Sequence, residues 1–131
     1  ERGVERAVLP VSEKYGLGTL PFFPLAHGFL TGKYRRNEAV PENTRLALTP
    51  AAQEKRLSDA NFDILDQLEV FVEKRGHTMV ELAFAWLLGR QSVGSVIAGA
   101  STPDQIRQNA AASEWELTSD EMAELNGILG G

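Results

Sequence analysis

The chain contains no cysteine among its 131 residues and only two histidines, His27 and His77. Disulfide bonds and cysteine-ligated metal sites are therefore excluded. The two histidines lack the spacing of paired metal ligands, so we predict no metal-ligating residues. No serine lies in a nucleophile-elbow motif, which argues against a serine hydrolase. These shortages argue against cysteine-ligated or paired-histidine metal sites and against serine-hydrolase chemistry.

The chain also lacks an excess of positive charge and a long hydrophobic run. Its formal net charge is −5, whereas a nucleic-acid surface needs clustered lysine and arginine. No apolar run approaches the about 20 residues of a membrane span. The first residues, ERGVERAV, do not show the pattern of a secretory signal. We therefore expect no nucleic-acid or membrane partner and a cytoplasmic location.

What the chain does have is the composition of a modest globular domain, with 43% hydrophobic and 24% charged residues. Capping signals and apolar periodicity predict helices over residues 5–15, 58–75, 79–88, 103–111 and 118–129. Two short apolar runs, at residues 19–25 and 93–98, predict strands buried on both faces. Residues 35–50 are polar and aperiodic, which predicts a long surface loop.

This alternation of helices and strands indicates an α/β fold. Two parallel strands are too few for an independently stable sheet. The chain also begins in helical sequence without a methionine. We therefore expect a helix-rich fragment of a larger α/β protein, forming one unit over residues 1–131.

Residues 93–109, VGSVIAGASTPDQIRQN, organise the chain. They predict a strand, a turn at Gly99 and a helix capped by Thr102, with Pro103 in its first turn and Gln105 completing a capping box. A helix start presents unpaired N–H groups and the positive end of a dipole, which favour an anion. We therefore hypothesise a phosphate held over residues 99–105. An ordinary capped helix without a ligand is the alternative reading.

The segments LGTLPFFPLAHGFLTGKY and SVIAGASTPDQIRQNAAA, with ERAVLPVSEKYGLG and WELTSDEMAELNGI around them, resemble the C-terminal half of aldo-keto reductases. The resemblance implies strands seven and eight of a (β/α)8 TIM-type barrel, with the other strands absent. It places the family's catalytic residues in the absent half, so no catalytic residue is assigned here.

The resemblance also implies a cofactor site. Phe22 stands where the family stacks an aromatic ring on the nicotinamide, and Phe23 stands where a serine is frequent. The other positions that match cofactor contacts are Leu25, Ala26, Gly28, Lys33, Gly99, Ser101, Gln105, Gln108 and Asn109.

The implied function is NADP(H)-dependent reduction of aldehydes or ketones. Some family members hold the 2′-phosphate with lysine and arginine at the positions of Gly99 and Gln105. Both residues are uncharged here, which predicts weak discrimination against NAD(H). This chain would supply the cofactor-binding half and be inactive alone, needing the N-terminal half or a second chain to cover its strand edges. The alternatives are a non-catalytic nucleotide-binding subunit, as in the family's potassium-channel β subunits, and an oligomeric half-barrel.

Overall fold

A computed structural model describes residues 2–130. Within that range it contains short 3-10 helices at Arg2–Arg6 and Ala26–Thr31 and six α-helices. The α-helices are α1 (Val8–Lys14), α2 (Pro50–Arg56), α3 (Asp59–Glu73), α4 (Met79–Leu88), α5 (Pro103–Ala111) and α6 (Ser119–Ile128). No helix among the described residues is long and apolar enough to cross a membrane.

The long helices follow their sequence signals. Ser58 caps α3, where its side chain accepts the N–H of Asn61. The predicted apolar face of α3 is the buried one, comprising Phe62, Leu65, Leu68, Phe71 and Val72. In α4, Thr78 and Glu81 form the predicted capping box. The predictions for α3 and α4 are thus confirmed in position, and the buried face of α3 is its apolar face.

The N-terminal helix is shorter than the predicted residues 5–15. A 3-10 helix comes first, and α1 begins at Val8, which places Pro10 in the first turn, where its missing N–H costs no hydrogen bond. Val8 and Val11 are about half exposed and Tyr15 is 66% exposed. The apolar face of α1 is therefore uncovered in the described chain.

The two predicted strands are reduced to isolated parallel bridges, which pair Thr19 with Val93 and Phe22 with Ile97. The prediction that both runs are buried on both faces is wrong for this chain, since Leu20 is 57%, Phe22 70% and Ile97 55% exposed. Pro21 has no N–H to donate, which interrupts the ladder. Nothing in the described range packs over these faces.

The predicted surface loop at residues 35–50 is anchored to the core. Leu46 is 0% exposed, and its carbonyl accepts a hydrogen bond from the Gln53 side chain at 2.9 Å. Helix α2, which the sequence did not predict, begins at Pro50 directly after the loop. The loop is therefore irregular in backbone but fixed in place.

An aromatic cluster lies beside the C-terminal end of α3. Trp115 stacks on His77 with 3.8 Å between ring centroids. His77 lies between Trp115 and Glu81, whose carboxylate is 3.6 Å from its Nδ1. Arg75 adds ion pairs to Glu121 and Glu124 of α6 at 2.9 and 2.7 Å. The two ion pairs of Arg75 hold α6 against the C-terminal end of α3.

Candidate functional site

The two bridged segments bring the predicted site segments to one edge. Thr19 donates its N–H to the Ser92 carbonyl at 2.6 Å, and Ile97 donates its N–H to the Pro21 carbonyl at 2.9 Å. The pairing is parallel, so both segments end at the same edge. The chain continues from that edge into residues 23–28 on one side and residues 98–105 on the other. In α/β proteins this carboxyl edge is where ligands bind.

An aromatic cluster occupies the first of these continuations. The rings of Phe22 and Phe23 lie 5.0 Å apart, and Phe23 stacks on His27 at 4.8 Å. Phe22 is 70% exposed, so its ring face is available to a flat ligand. His27 serves here as a stacking partner of Phe23.

The backbone of this continuation is strained. Phe23, Ala26 and His27 are three of the five non-glycine residues with positive φ between residues 2 and 130. Each costs on the order of 1–2 kcal/mol relative to ordinary backbone. Such outliers cluster at ligand-binding segments, which favours a functional reading of residues 23–28.

Gly28 and Lys33 form the second part of the site. A Cβ on Gly28 would lie 2.7 Å from the Lys33 Cε and Nζ atoms, and Gly28 has φ +87°. The lysine tip could move aside, but the left-handed backbone favours glycine. Tyr34 fixes this turn by donating its hydroxyl to the His27 carbonyl at 3.2 Å. Lys33 is exposed, so its ammonium group lies beside the Gly28 backbone and remains accessible to a ligand. Leu25 and Ala26, which lead into this turn, are half-buried.

Arg45 is a candidate site residue that the sequence did not indicate. Its guanidinium carbon lies 5.4 Å from the centroid of the Phe23 ring, although 22 positions separate the two residues in the chain. Nothing local in the polar loop distinguishes Arg45 from its neighbours. Only the path of the loop reveals that Arg45 adds a second positive charge beside the aromatic cluster.

Helix α5 begins where it was predicted to begin, but the hydrogen bonds at its start differ from the predicted ones. Thr102 caps α5 by accepting the Gln105 N–H at 3.2 Å. The Gln105 side-chain oxygen accepts the N–H of Ser101 at 2.7 Å and the Ser101 hydroxyl at 3.1 Å. The predicted capping box is therefore incomplete, because Gln105 reaches one residue beyond Thr102. An anion at this helix start would have to displace the Gln105 oxygen from Ser101.

The remaining predicted positions are less constrained. Gly99 has no left-handed φ, and a Cβ there would meet nothing within 4 Å, so the expected need for glycine in a sharp turn is not borne out. Gln108 is exposed and Asn109 is half-buried, farther along α5. Among the described residues, no group of three or more acidic or histidine side chains is placed to hold a metal ion.

Taken together, the edge offers an exposed aromatic face, the cations Lys33 and Arg45, and polar side chains at a helix start. The cations suit an anionic group and the exposed ring suits a flat heterocycle. These groups lie together at the carboxyl edge of two parallel segments, which is the edge where α/β proteins bind ligands.

Comparison with known proteins specifies the family. The family model described as "Aldo/keto reductase family" matches residues 1–129. The chain therefore belongs to the aldo/keto reductase family, and its fold is part of that family's barrel.

Individual relatives agree. The chain is 34% identical over 128 residues to L-glyceraldehyde 3-phosphate reductase of Escherichia coli O157:H7, covering 91% of this chain and 35% of that protein. It is 35% identical over 131 residues to a putative voltage-gated potassium channel subunit beta of Schizosaccharomyces pombe, covering 95% of this chain and 38% of that protein. The chain thus spans little more than a third of the length of these relatives.

A solved structure gives the same result. The chain superimposes on glycerol dehydrogenase from Gluconobacter oxydans with a TM-score of 0.79 and 29% sequence identity. The match covers 99% of this chain and 39% of that one. The helical arrangement described above, with its two bridged segments, is therefore that of part of a barrel.

Proposed function

We propose that the protein containing this chain is a nicotinamide-dependent oxidoreductase that reduces aldehydes or ketones in the cytoplasm, and that residues 1–131 form its C-terminal, cofactor-binding portion. One observation carries the proposal. In a member of the aldo/keto reductase family, the parallel bridge between Phe22 and Ile97 directs an aromatic, cationic segment and the start of α5 to one edge.

The residues present fit a dinucleotide. The exposed ring of Phe22 would stack on the nicotinamide, with Phe23 beside it. Lys33 and Arg45 would face the phosphates, over the backbone of residues 25–28. Ser101 and Gln105, followed by Gln108 and Asn109, would contact the adenosine half, a role that the family resemblance implies for all four. The bound cofactor supplies the hydride, while the protein holds and orients it.

We assign no catalytic residue to this chain. The family resemblance places the catalytic acid in the part of the barrel that this chain lacks, so no residue at the edge is given that role. A polypeptide of these 131 residues should therefore bind cofactor without turnover. The exposed apolar side chains of Leu20 and Ile97 would need the other part of the barrel, or a second chain, to cover them.

We further propose that the site uses NADP(H) and discriminates weakly against NAD(H). Gly99 and Gln105 carry no charge, so neither can pair with a 2′-phosphate. A charged donor makes a hydrogen bond to the phosphate roughly twice as strong, and the site forgoes this gain at both positions. Lys33 and Arg45 would attract the pyrophosphate shared by both cofactors.

The potassium-channel relative favours a second candidate. The same cofactor site could belong to a nucleotide-binding regulatory subunit without turnover, or to a half-barrel that oligomerises through its uncovered faces. Steady-state turnover of aldehydes by the protein at its natural length separates the enzyme from the regulatory subunit. Gel filtration of the 131-residue polypeptide separates the oligomeric half-barrel from a monomer.

The binding experiment titrates the natural-length protein with NADPH and NADH and follows cofactor fluorescence. Phe22→Ala should weaken both cofactors by roughly two- to tenfold, the value of an aromatic stacking contact. Tyr15→Ala is the matched control, because Tyr15 is a similarly exposed aromatic residue (66%) outside the edge. A dissociation constant for NADH about a thousand times that for NADPH would contradict weak discrimination. Equal effects of the two variants would contradict the role of Phe22.

A further inference from the structure

A groove of about 410 Å³ lies between α3 and α6, away from the candidate cofactor site. Val70, Phe71 and Ile128 form its apolar wall. Val70 is 49% exposed, although it lies in the middle of a helix whose other apolar residues are mostly buried. The groove therefore offers water an apolar strip that a second protein surface could cover.

The position of α3 in the fold indicates that this strip stays accessible in the natural-length protein. In a TIM barrel the helices form an outer ring around the strands, and the chain belongs to a family with that fold. The exposed face of α3 should then remain on the outside when the rest of the barrel is present. Val70 differs in this respect from Leu20 and Ile97, whose exposed side chains lie on the two bridged segments.

Opposite charges lie at equal distances on either side of Val70. Asp66 precedes it by four residues and Lys74 follows it by four, so the three residues form one stripe along α3. The Asp66 side chain is 64% exposed, which lets its carboxylate accept a second cation besides Arg36. Lys74 is exposed, and its ammonium group is in no ion pair within residues 2–130. The stripe is therefore complementary in charge to a reversed copy of itself.

We propose that this face binds a second copy of the protein, with the two α3 helices antiparallel and a two-fold axis at Val70. Across such an axis, each residue faces the one that lies equally far from Val70 in the opposite direction. Lys74 then faces Asp66 of the second copy, and the same ion pair recurs on the other side of the axis. Glu73 faces Gln67 of the second copy, which can donate a hydrogen bond to it. The two Val70 side chains meet at the centre.

The charges on the stripe select this arrangement over the parallel one. A parallel pair of helices would place Asp66 against Asp66 and Lys74 against Lys74, and such like-charge contacts are unfavourable. The two-fold contact also closes on itself, so it yields a dimer and no longer assembly. One helix crossing buries less than the about 1,200 Å² of a standard interface, so the dimer should be weak and form at high protein concentration. It requires no cofactor and is therefore independent of the proposed function.

The first test exchanges the charges. Sedimentation velocity of the natural-length protein over about 5 to about 500 µM should show a monomer–dimer equilibrium. Lys74→Glu and Asp66→Lys should each raise the dissociation constant roughly threefold to thirtyfold, since each places like charges on both sides of the axis. An equal mixture of the two variants should associate as tightly as the unaltered protein, because every pair across the axis is then opposite in sign. Lys55→Glu is the matched control, with the same change of charge at an exposed lysine on α2.

The second test locates the axis. Val70→Cys should form a disulfide-linked dimer under mild oxidation, since the two residues meet at the axis. Gln67→Cys is the control. A helix rises about 1.5 Å per residue, so the two copies of residue 67 lie about 9 Å apart along the helices, too far for a disulfide. Circular dichroism checks that each variant is folded.

Four results would overturn the proposed dimer. The first is a natural-length protein that stays monomeric over the whole concentration range. The second is equal association of Lys74→Glu and Lys55→Glu. The third is a mixture of the two charge variants that associates no better than either alone, and the fourth is equal disulfide formation at residues 70 and 67. Failure to bind NADPH or NADH would overturn the proposed function and leave the dimer standing.

Discussion

Replacing Leu46 by alanine should destabilise the protein far more than its place in a polar loop suggests. Leu46 is 0% exposed and belongs to the core formed with Phe29, Phe62 and Leu65. Burying a leucine side chain contributes about 1.5–3 kcal/mol, and the cavity left by truncation adds to the loss. Leucine-to-alanine changes in cores cost about 2–5 kcal/mol, so we expect about 3 kcal/mol here.

The chain supplies a matched control two residues away. Leu48 lies in the same loop but is 81% exposed, so Leu48→Ala should change the free energy of unfolding by no more than about 0.5 kcal/mol. The two variants have the same composition and differ only in which leucine is truncated. Any effect that the loss of one leucine has on the unfolded chain is therefore the same in both variants and cancels in the comparison.

The assay is urea unfolding of the natural-length protein, followed by tryptophan fluorescence. A loss of about 3 kcal/mol with an ordinary urea dependence lowers the midpoint by about 1 M or more. A loss below about 1 kcal/mol for Leu46→Ala, or equal losses for the two variants, would refute the conclusion that the loop is anchored through Leu46.

Three further predictions concern single polar contacts. The Thr118 N–H, at 2.8 Å, and then Arg75 hold the pKa of Glu121 below its ordinary value of about 4.5, although burial opposes them. The ionised Glu121 therefore stabilises the folded protein fully above about pH 4.5, and this stabilisation is lost as the pH falls below that value. Glu121→Gln should accordingly weaken the fall of the urea midpoint at acid pH. Thr78→Ala removes the cap of α4 and should cost about 1 kcal/mol in the same unfolding assay, with unchanged stability counting against the capping contact. Gln105→Arg should raise the preference for NADPH over NADH by about 10- to 150-fold in equilibrium titrations, and an unchanged ratio would place the 2′-phosphate elsewhere.

Much of the helical structure was predictable because its causes are local. The spacing of apolar residues in α3 selects the buried face, and Ser58 and Thr78 begin helices through hydrogen bonds within one turn. The strands were less predictable. The run at residues 19–25 has strand composition, but burial depends on what packs over it, and Phe22 is largely exposed in this chain.

The candidate site divides in the same way. The segments around Phe22 and Gln105 were identified from sequence through motifs that resemble a known family, and the parallel bridge then put their origins at one edge. Arg45 was not identified, because its proximity to Phe23 depends on the path of a loop without regular structure. The Gln105 hydrogen bond to Ser101 was also missed, since two cap geometries compete within one turn.

By itself, the sequence determined the helices α3 to α6, the capping residues Thr78, Thr102 and Thr118 and the family, because each depends on neighbouring residues or on ordered motifs. The tertiary structure alone decided that Leu46 is buried, that Trp115 stacks on His77, that Arg36 pairs with Asp63 and that Arg45 lies over Phe23. These contacts join residues far apart in the chain. Their energies depend on distance in space, which no local pattern of residue types encodes.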